Sequence, residues 1–410
     1  NLTIDIICAV FFLQDLILQK IESPASRLNS IVPTDLSHIF LSENGASAVE
    51  VALKMAIQFW ANQGHPERNR IIALEMAYHG DTVGAVSVGG EGPFRDIYQP
   101  LLFEPLRFPN PYHYRCSVCA NSSTCTSDCA AQLRPLLDQY AGEIAALIIE
   151  PRVQGAAGII VSPDDHLRAI RYLCDQYDVL LIADEVATGF GKTGAMFACD
   201  LEQVTPDIMV LGKGITGGYL PLAATVATDR IYDAFYGEES KKLFHGHTYA
   251  GNPICCAAGI ASIDLFSDGK VIEQVVSRSA LLTDLLTKRI ADHPNVGDIR
   301  QQGLMVGIEL VADKETREPL LPNSEATWNV CLAVREYGLF IRPLGDVIVL
   351  MPPLSIEEEE IDLMTEALRN GLDRIFSTSS NLFLFYMELF RLIPLSSGHQ
   401  NVIFQYKEYL

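Results

Sequence analysis

A carboxylate and an amine follow two successive apolar runs of the sequence. Asp184 ends the run Val179-Leu-Leu-Ile-Ala, and Lys213 ends the run Ile208-Met-Val-Leu-Gly. Because ligands bind outside the carboxyl ends of parallel strands, both groups are expected to face one crevice. An amine that forms an imine with an aldehyde, beside an acid that pairs with a pyridine nitrogen, suits the chemistry of pyridoxal phosphate. The alternative is a surface lysine and a helix-capping aspartate.

Glycine-bearing turns near these residues predict that the backbone approaches a ligand closely. The turn Ser42-Glu-Asn-Gly-Ala-Ser opens a helix-like stretch, so the N–H groups of Gly45 and Ala46 are candidate donors to a phosphate. Ser and Asn also cap helices without any ligand, and that alternative stays open. Four glycines crowd around the lysine, which also indicates close backbone approach: Gly212, Gly214, Gly217 and Gly218.

Two further loops carry side chains suited to a planar, phosphorylated ligand. Tyr78 lies in a loop with glycine and could stack on a ring, or simply pack on the core. In His245-Gly-His-Thr, Thr248 is a candidate phosphate-binding hydroxyl. The two histidines of that segment could bind zinc, but the sequence suggests no third ligand nearby.

Four cysteines form the pattern C-x2-C-x5-C-x3-C at Cys116, Cys119, Cys125 and Cys129. Four thiolates can hold zinc or an iron–sulfur cluster, although this spacing is not one of the standard ones. We expect ordinary thiols in a variable loop and no metal, with a structural metal as the alternative.

The composition excludes several classes of protein. The 410 residues are 49% hydrophobic and carry a formal charge of -21, which argues against disorder and against nucleic-acid binding. No apolar run reaches about 18 uncharged residues, so no membrane span is expected. Ten cysteines scattered through a long chain suit a reducing compartment, which predicts a cytoplasmic protein.

Short apolar runs alternate with helix-like stretches over roughly residues 40 to 265. This alternation predicts an α/β fold whose sheet is mainly parallel. We expect a large domain over 37–268 and a smaller α+β domain over 269–376. Residues 1–36 are interpreted as a truncated N-terminal segment, and residues 377–410 as a tail without an assigned role.

Five segments together resemble the class III aminotransferases, which are fold-type I pyridoxal-phosphate enzymes. The resemblance runs from about Leu36 to Ile375, most of the chain. The segments are Asn44-Gly-Ala-Ser-Ala-Val-Glu, Tyr78-His-Gly-Asp-Thr, Glu150-Pro-Arg-Val-Gln-Gly-Ala, Ala183-Asp-Glu-Val-Ala-Thr-Gly-Phe-Gly-Lys-Thr-Gly and Leu211-Gly-Lys-Gly-Ile-Thr-Gly-Gly.

Within the family, the chain is most similar to the branch that converts 8-amino-7-oxononanoate to 7,8-diaminononanoate in biotin synthesis. The resemblance leaves the amino donor open between S-adenosylmethionine and lysine. Two alternatives remain: another class III aminotransferase that acts on ω-amino acids or diamines, and an inactive fragment. Family members also carry a longer stretch before the part that matches Ile21–Leu36, with pocket-lining aromatic residues that this chain lacks.

The resemblance implies roles for the residues around the cofactor ring. Lys213 would form the imine and carry the proton, and Asp184 would bind the pyridine nitrogen. Tyr78 would stack on one face of the ring, with Val186 against the other face.

The resemblance also implies a homodimer whose active site lies at the subunit interface. Gly45 and Ala46 would hold the cofactor phosphate together with Thr248 of the partner subunit. Arg342 would bind the substrate carboxylate, and Tyr78 and Gly246 would line the same substrate site.

Overall fold

The alternating apolar and amphipathic stretches form strands and helices in the computed structural model, which describes residues 24–116 and 128–392. The strands are β1 (Leu36–Ser42), β2 (Arg70–Leu74), β3 (Leu106–Phe108), β4 (Ile144–Ile149), β5 (Val153–Gln154), β6 (Ile160–Val161), β7 (Leu180–Asp184), β8 (Ile208–Leu211), β9 (Ala223–Thr228), β10 (Val296–Gln302), β11 (Met305–Asp313), β12 (Glu318–Pro319), β13 (Pro343–Leu344) and β14 (Val347–Leu350). The helices are α1 (24–29), α2 (Gly45–Asn62), α3 (Val83–Val88), α4 (Pro93–Asp96), α5 (Asp128–Ala131), α6 (Arg134–Tyr140), α7 (His166–Gln176), α8 (Asp229–Ala234), α9 (Pro253–Asp264), α10 (Lys270–Arg289), α11 (Ala326–Ala333) and α12 (Glu358–Leu392).

The larger sheet has seven strands in the order β1-β9-β8-β7-β4-β2-β3. The five strands from β8 to β3 run parallel to one another, which confirms the predicted mainly parallel sheet. β9 is antiparallel to both β1 and β8. Its direction follows from its short connection, since residues 212–222 contain one 3-10 turn and no crossover helix of the kind that parallel neighbours need.

Helices cover both faces of this sheet, so its central strands are buried throughout. In β7, Leu180 and Ile182 face the side covered by α2, whereas Leu181 and Ala183 face the side covered by α7. A strand buried on both faces has no polar side to alternate with, which explains the continuous apolar runs in the sequence. The polar residues that end these strands therefore lie at the edge of the core.

A second, antiparallel sheet has the order β10-β11-β14-β13, with β12 paired to β11. Helices α10, α11 and α12 pack on it around a separate apolar core. Helix α12 runs unbroken to Leu392, past residue 376, where the sequence predicts the end of the smaller domain. The parts of the predicted N-terminal segment and tail that fall in 1–23 and 393–410 lie outside the described residues.

Buried charges join the loop after β3 to the smaller sheet. Glu309 on β11 accepts hydrogen bonds from the hydroxyl of Tyr112, from Nε of Arg115 at 2.9 Å and from Nη1 of Arg300 at 2.9 Å. Arg300 also donates to the backbone carbonyls of Gly158 and Ile159. Glu309 and Arg300 are both buried, so removal of either one would leave the charge of the other buried without its partner.

Over 24–116 and 128–392, none of the helices combines the length and the apolar character that crossing a membrane requires.

Candidate active site

Asp184 ends β7 as predicted, and it is only 4% exposed. Its Oδ2 lies 2.7 Å from Nδ1 of the buried His79, and its Oδ1 accepts a hydrogen bond from the backbone N–H of Val186 at 3.0 Å. A carboxylate offers about four acceptor positions, so two remain for another donor. The side chain is therefore fixed in orientation, and it can still accept a hydrogen bond from a ligand.

The sequence predicts that Lys213 ends a strand, but β8 ends at Leu211 and the lysine begins a 3-10 turn. Its φ of 40° lies in the left-handed region, which is unusual for a residue with a side chain and is typical of functional sites. The side chain is exposed, and its Nζ has no hydrogen-bond partner among residues 24–116 and 128–392. Since β7 pairs with β8, the lysine and Asp184 follow neighbouring strands.

The first turn of α2 lies against the loops that follow these two strands. Asn44 caps the helix, and its side chain accepts from the N–H of Ser47 at 2.9 Å. A Cβ atom on Gly45 would lie 2.8 Å from Cγ1 of Val186, so only glycine fits there without a shift. Within the described residues, the N–H groups of Gly45 and Ala46 make no hydrogen bond, and both remain available to an anion.

The loop of Tyr78 is fixed on two sides. Its backbone N–H donates to Oε1 of Glu150 at 3.1 Å, and its hydroxyl donates to Oδ2 of Asp81 at 2.9 Å. Gly80 has a φ of 124°, and a Cβ there would lie 2.5 Å from Cβ of Ala46, so the loop and α2 approach too closely for another residue. Burial and the bond to Asp81 raise the pKa of Tyr78 to about 12, which keeps the phenol neutral.

Two residues of the site received no role from the sequence. Glu150 follows β4 and is buried, and its carboxylate accepts from the N–H groups of Tyr78 and Gly155. Burial raises the pKa of Glu150 to about 7, although the charge of His79 acts in the opposite direction. The sequence could have indicated Glu150 by its position, because it follows an apolar strand just as Asp184 ends one. His79 could have been identified by its place next to Tyr78.

The segment 245–248 lies beside the residue that precedes Asn44. Nδ1 of His247 is 2.7 Å from Oε1 of Glu43, and Nδ1 of His245 is 3.1 Å from Nζ of Lys54. Gly246 and Thr248 are both exposed in this segment. The structure adds no third ligand to the two histidines that were considered for zinc. The described ranges contain no group of three or more His, Cys, Asp or Glu side chains that could bind a metal.

Arg342 is exposed and directly precedes β13 in the smaller sheet. Among residues 24–116 and 128–392, its guanidinium has no ion pair or hydrogen-bond partner. The structure thus leaves this cation available, but no contact joins it to Asp184 or Lys213.

The two outer cysteines of the four-cysteine pattern lie together. Cys116 and Cys129 are buried, and their Sγ atoms are 3.5 Å apart. Cys119 and Cys125 lie outside the described residues, so the alternative of a four-thiolate metal site stays a hypothesis.

The residues at this sheet edge combine a buried, oriented carboxylate, an exposed amine, two N–H groups at the start of an 18-residue helix and an aromatic loop. The helix start suits a phosphate, because its N–H groups and its dipole both favour an anion. The carboxylate suits a protonated ring nitrogen, and the amine suits an aldehyde. The residues present therefore fit pyridoxal phosphate.

Comparisons with known proteins agree with this chemistry. The family model described as aminotransferase class-III matches residues 9–372. An adenosylmethionine-8-amino-7-oxononanoate aminotransferase of Geobacter sulfurreducens is 49% identical over 354 residues, which are 86% of this chain and 78% of that protein.

Two solved structures share the fold. The structure of the adenosylmethionine-8-amino-7-oxononanoate aminotransferase of Methanocaldococcus jannaschii has a TM-score of 0.80 and 42% identity, covering 87% of this chain and 80% of its own. A PLP-bound amine transaminase from an uncultivated Pseudomonas species has a TM-score of 0.82 and 38% identity, with 87% and 81% covered. The chain therefore belongs to the class III aminotransferase family, and its cofactor is pyridoxal phosphate.

Proposed function

We propose that this chain transfers an amino group from S-adenosylmethionine to 8-amino-7-oxononanoate, giving 7,8-diaminononanoate in biotin synthesis. The observation that carries transamination is the buried carboxylate of Asp184 at the end of β7, one strand away from the amine of Lys213. The names of the Geobacter and Methanocaldococcus relatives support the two substrates. They favour S-adenosylmethionine over lysine, which the sequence leaves open as donor.

We assign the cofactor to the residues that fit it. Gly45 and Ala46 would bind the phosphate through their N–H groups, and Asp184 would hold the proton of the ring nitrogen. Tyr78 and Val186 would enclose the ring from its two faces. When bound, pyridoxal phosphate supplies an aldehyde that captures amines and a ring that withdraws electrons.

Lys213 is proposed to bind the cofactor and then to act as the acid–base group of the reaction. Its Nζ takes a proton from the α-carbon of the donor and returns one to the carbon that receives the amino group. Glycines flank this lysine at 212 and 214, so its backbone can pass close to the bound molecules. Asp184 is held in place meanwhile by its contacts with Nδ1 of His79 and the backbone N–H of Val186.

Arg342 is proposed to bind the carboxylate of the oxo acid. A guanidinium presents two parallel N–H donors that match a carboxylate, and the side chain of Arg342 is exposed without a described protein partner. Tyr78 and Gly246 would line the same site. The amino group of the donor and the 7-oxo group of the acceptor react at the same place, so a cation at the far end of the site can select the carboxylate of the acceptor.

The proposed enzyme is a cytoplasmic homodimer in which Thr248 binds the cofactor phosphate of the other subunit. Large apolar side chains that flank the segment 245–248 are strongly exposed, which supports an interface there. They are Phe244, Tyr249 and Ile254, at 71%, 73% and 70% exposure. Measurement of the molecular mass in solution by light scattering tests the dimer, and a monomeric mass would contradict it.

The substrate proposal is tested with the purified full chain loaded with pyridoxal phosphate. The chain is incubated with 8-amino-7-oxononanoate and either S-adenosylmethionine or lysine, and 7,8-diaminononanoate is measured by mass spectrometry. Product with S-adenosylmethionine is expected. Product formed with lysine but not with S-adenosylmethionine would overturn the proposed amino donor. Conversion of ω-amino acids or diamines alone would favour another class III aminotransferase activity. No conversion of any of these substrates would favour an inactive fragment.

A further inference from the structure

We propose that His247 is a positioning residue, which holds Thr248 at the cofactor phosphate of the other subunit. The inference rests on the proposed dimer and on the proposed role of Thr248, and it names the side chain that sets the reach of this hydroxyl. It is carried by a series of contacts that fixes the segment 241–247 along helix α2 of the same subunit.

The residues that lead to His247 are held by side chains of α2 that are spaced by four positions and therefore share one face of the helix: Lys54, Gln58 and Asn62. The amides of Gln58 and Asn62 donate to the backbone carbonyls at positions 242 and 241, at 2.9 Å and 3.1 Å. Nζ of Lys54 lies 3.1 Å from Nδ1 of His245. The segment therefore runs along α2 from the end of the helix towards its start.

The last contact of this series joins His247 to Glu43, the residue before the N-cap of α2. Nδ1 of His247 lies 2.7 Å from Oε1 and 2.8 Å from Oε2 of Glu43. Since an ionised carboxylate can only accept hydrogen bonds, Nδ1 carries the hydrogen. The two side chains are 37% and 29% exposed, so this pair is partly shielded from the water that weakens a fully exposed pair.

Thr248 comes directly after this contact. The carbonyl of His247 accepts from the N–H of Ala250 at 3.1 Å, so Thr248 lies in a turn that begins at the histidine. Without the bond to Glu43, the last side-chain hydrogen bond that holds the segment to α2 before Thr248 would be that of His245. The bond from His247 thus sets the place at which the turn leaves its own subunit, which is the contribution of a positioning residue.

The choice of substitutions follows from the atom that acts. Asn carries its amide nitrogen at a position close to Nδ1 of histidine, so His247→Asn should retain the bond to Glu43. His247→Leu removes the bond and keeps a side chain of similar bulk. The matched control is His65→Leu, which removes another exposed histidine whose Nδ1 contacts a glutamate, Glu67, at 3.2 Å.

The first experiment titrates each full-length variant with pyridoxal phosphate, without any amino donor or oxo acid. The absorbance of the cofactor bound to the amine of Lys213 gives the dissociation constant. His247→Leu should bind about three- to tenfold more weakly than the wild type, as expected for one lost hydrogen bond in a partly exposed place. His247→Asn and His65→Leu should agree with the wild type within about twofold. Because no substrate is present, a wrong substrate assignment does not affect the result.

The second experiment uses mixed dimers, purified through a different affinity tag on each subunit, in which Lys213→Ala silences the absorbance of one site. In the first mixed dimer, one subunit carries both His247→Leu and Lys213→Ala, and its partner is wild type. The site that keeps its lysine then receives Thr248 from the subunit with the altered His247, and it should bind the cofactor weakly. In the second mixed dimer, His247→Leu and Lys213→Ala are on different subunits, and the site that keeps its lysine should bind as in the wild type.

Two results would overturn the inference while leaving the proposed dimer in place. One is equal cofactor binding by the wild type and His247→Leu. The other is weak binding in the second mixed dimer but not in the first, since the histidine would then act on its own subunit. A monomeric mass in light scattering would overturn the proposed dimer and this inference with it. Circular dichroism checks that each variant is folded, and the comparison between the two mixed dimers contains the same substitutions in both.

Discussion

Gly45 and Val186 lie so close together that a Cβ atom on the glycine would be 2.8 Å from Cγ1 of the valine. One residue is at the start of α2, and the other follows β7. The absence of a side chain at position 45 brings the helix start against the loop of the proposed ring site. The packing of the helix start against this loop therefore depends on two residues that are far apart in sequence.

Gly45→Ala should weaken cofactor binding and lower the free energy of unfolding by about 1–3 kcal/mol, because the new methyl group overpacks against Val186. The dissociation constant of pyridoxal phosphate and urea denaturation measure the two effects. Val186→Ala in the same chain removes the clashing methyl groups, so the double variant should recover most of the stability lost in Gly45→Ala. Equal stability of Gly45→Ala and the double variant would show that the methyl groups of Val186 do not cause the loss.

Lys213→Ala should reduce the rate of transamination at least about a thousandfold, since the proposed acid–base group and cofactor anchor are both lost. The fold should persist, because the side chain is exposed and makes no described contact. Product formation and thermal unfolding are measured side by side. Lys288→Ala, on the exposed side of α10, is the matched control and should keep full activity. Appreciable turnover without Lys213 would contradict its role.

Arg342→Ala should raise the KM for the oxo acid about ten- to a hundredfold, because a charge-assisted pair with the substrate carboxylate disappears. The dissociation constant of pyridoxal phosphate should change much less. Steady-state kinetics and equilibrium binding separate the two quantities. Arg374→Ala removes another exposed arginine, which pairs with Glu336, and serves as the control. An unchanged KM would exclude Arg342 from the substrate site.

Glu150 makes stability depend on pH. Its pKa of about 7 in the folded protein lies above the ordinary value of 4.5, so the folded state holds a proton that the unfolded state has lost. The free energy of unfolding should therefore fall as the pH rises from about 4.5 to 7, by roughly 3 kcal/mol for this group.

Glu150→Gln should flatten that part of the pH dependence, as measured by urea denaturation at several pH values between 4.5 and 7. The side chain of Glu185 is also buried, with a pKa raised to about 7, chiefly by burial. Glu185→Gln should thus flatten the curve by a similar amount, and the double variant by the sum of both. A slope equal to the wild-type slope in either single variant would show that its carboxyl group keeps an ordinary pKa in the fold.

The sequence predicts the strands beneath the site well, and for a physical reason. A run such as Val179-Leu-Leu-Ile-Ala is too short for a helix and has no polar alternation, so it suits a strand that is covered on both faces. The residues after such runs then belong to one edge of the sheet. Asp184 and Lys213 follow neighbouring strands for this reason.

Contacts between loops could not be predicted in the same way. His79 and Asp184 are 105 positions apart, and the hydroxyl of Tyr112 meets Glu309 across 197 positions. Which loops meet depends on the order of the strands, and hydrophobic periodicity carries no information about that order. The direction of β9 is likewise decided by the length of the connection before it, rather than by its own apolar residues.

The pairing of β1 with β9 also has a consequence for synthesis on the ribosome. The hydroxyl of Ser37 bonds to Asp229 across 192 positions, so the first strand of the large sheet has no partner until more than half of the chain has been made. At about 5–20 residues per second, its backbone groups wait roughly 10 to 40 seconds. During that interval the nascent chain exposes an unpaired strand immediately before the start of α2. An unpaired strand is a template for pairing with other chains, so we expect this segment to aggregate most readily before β9 has been made.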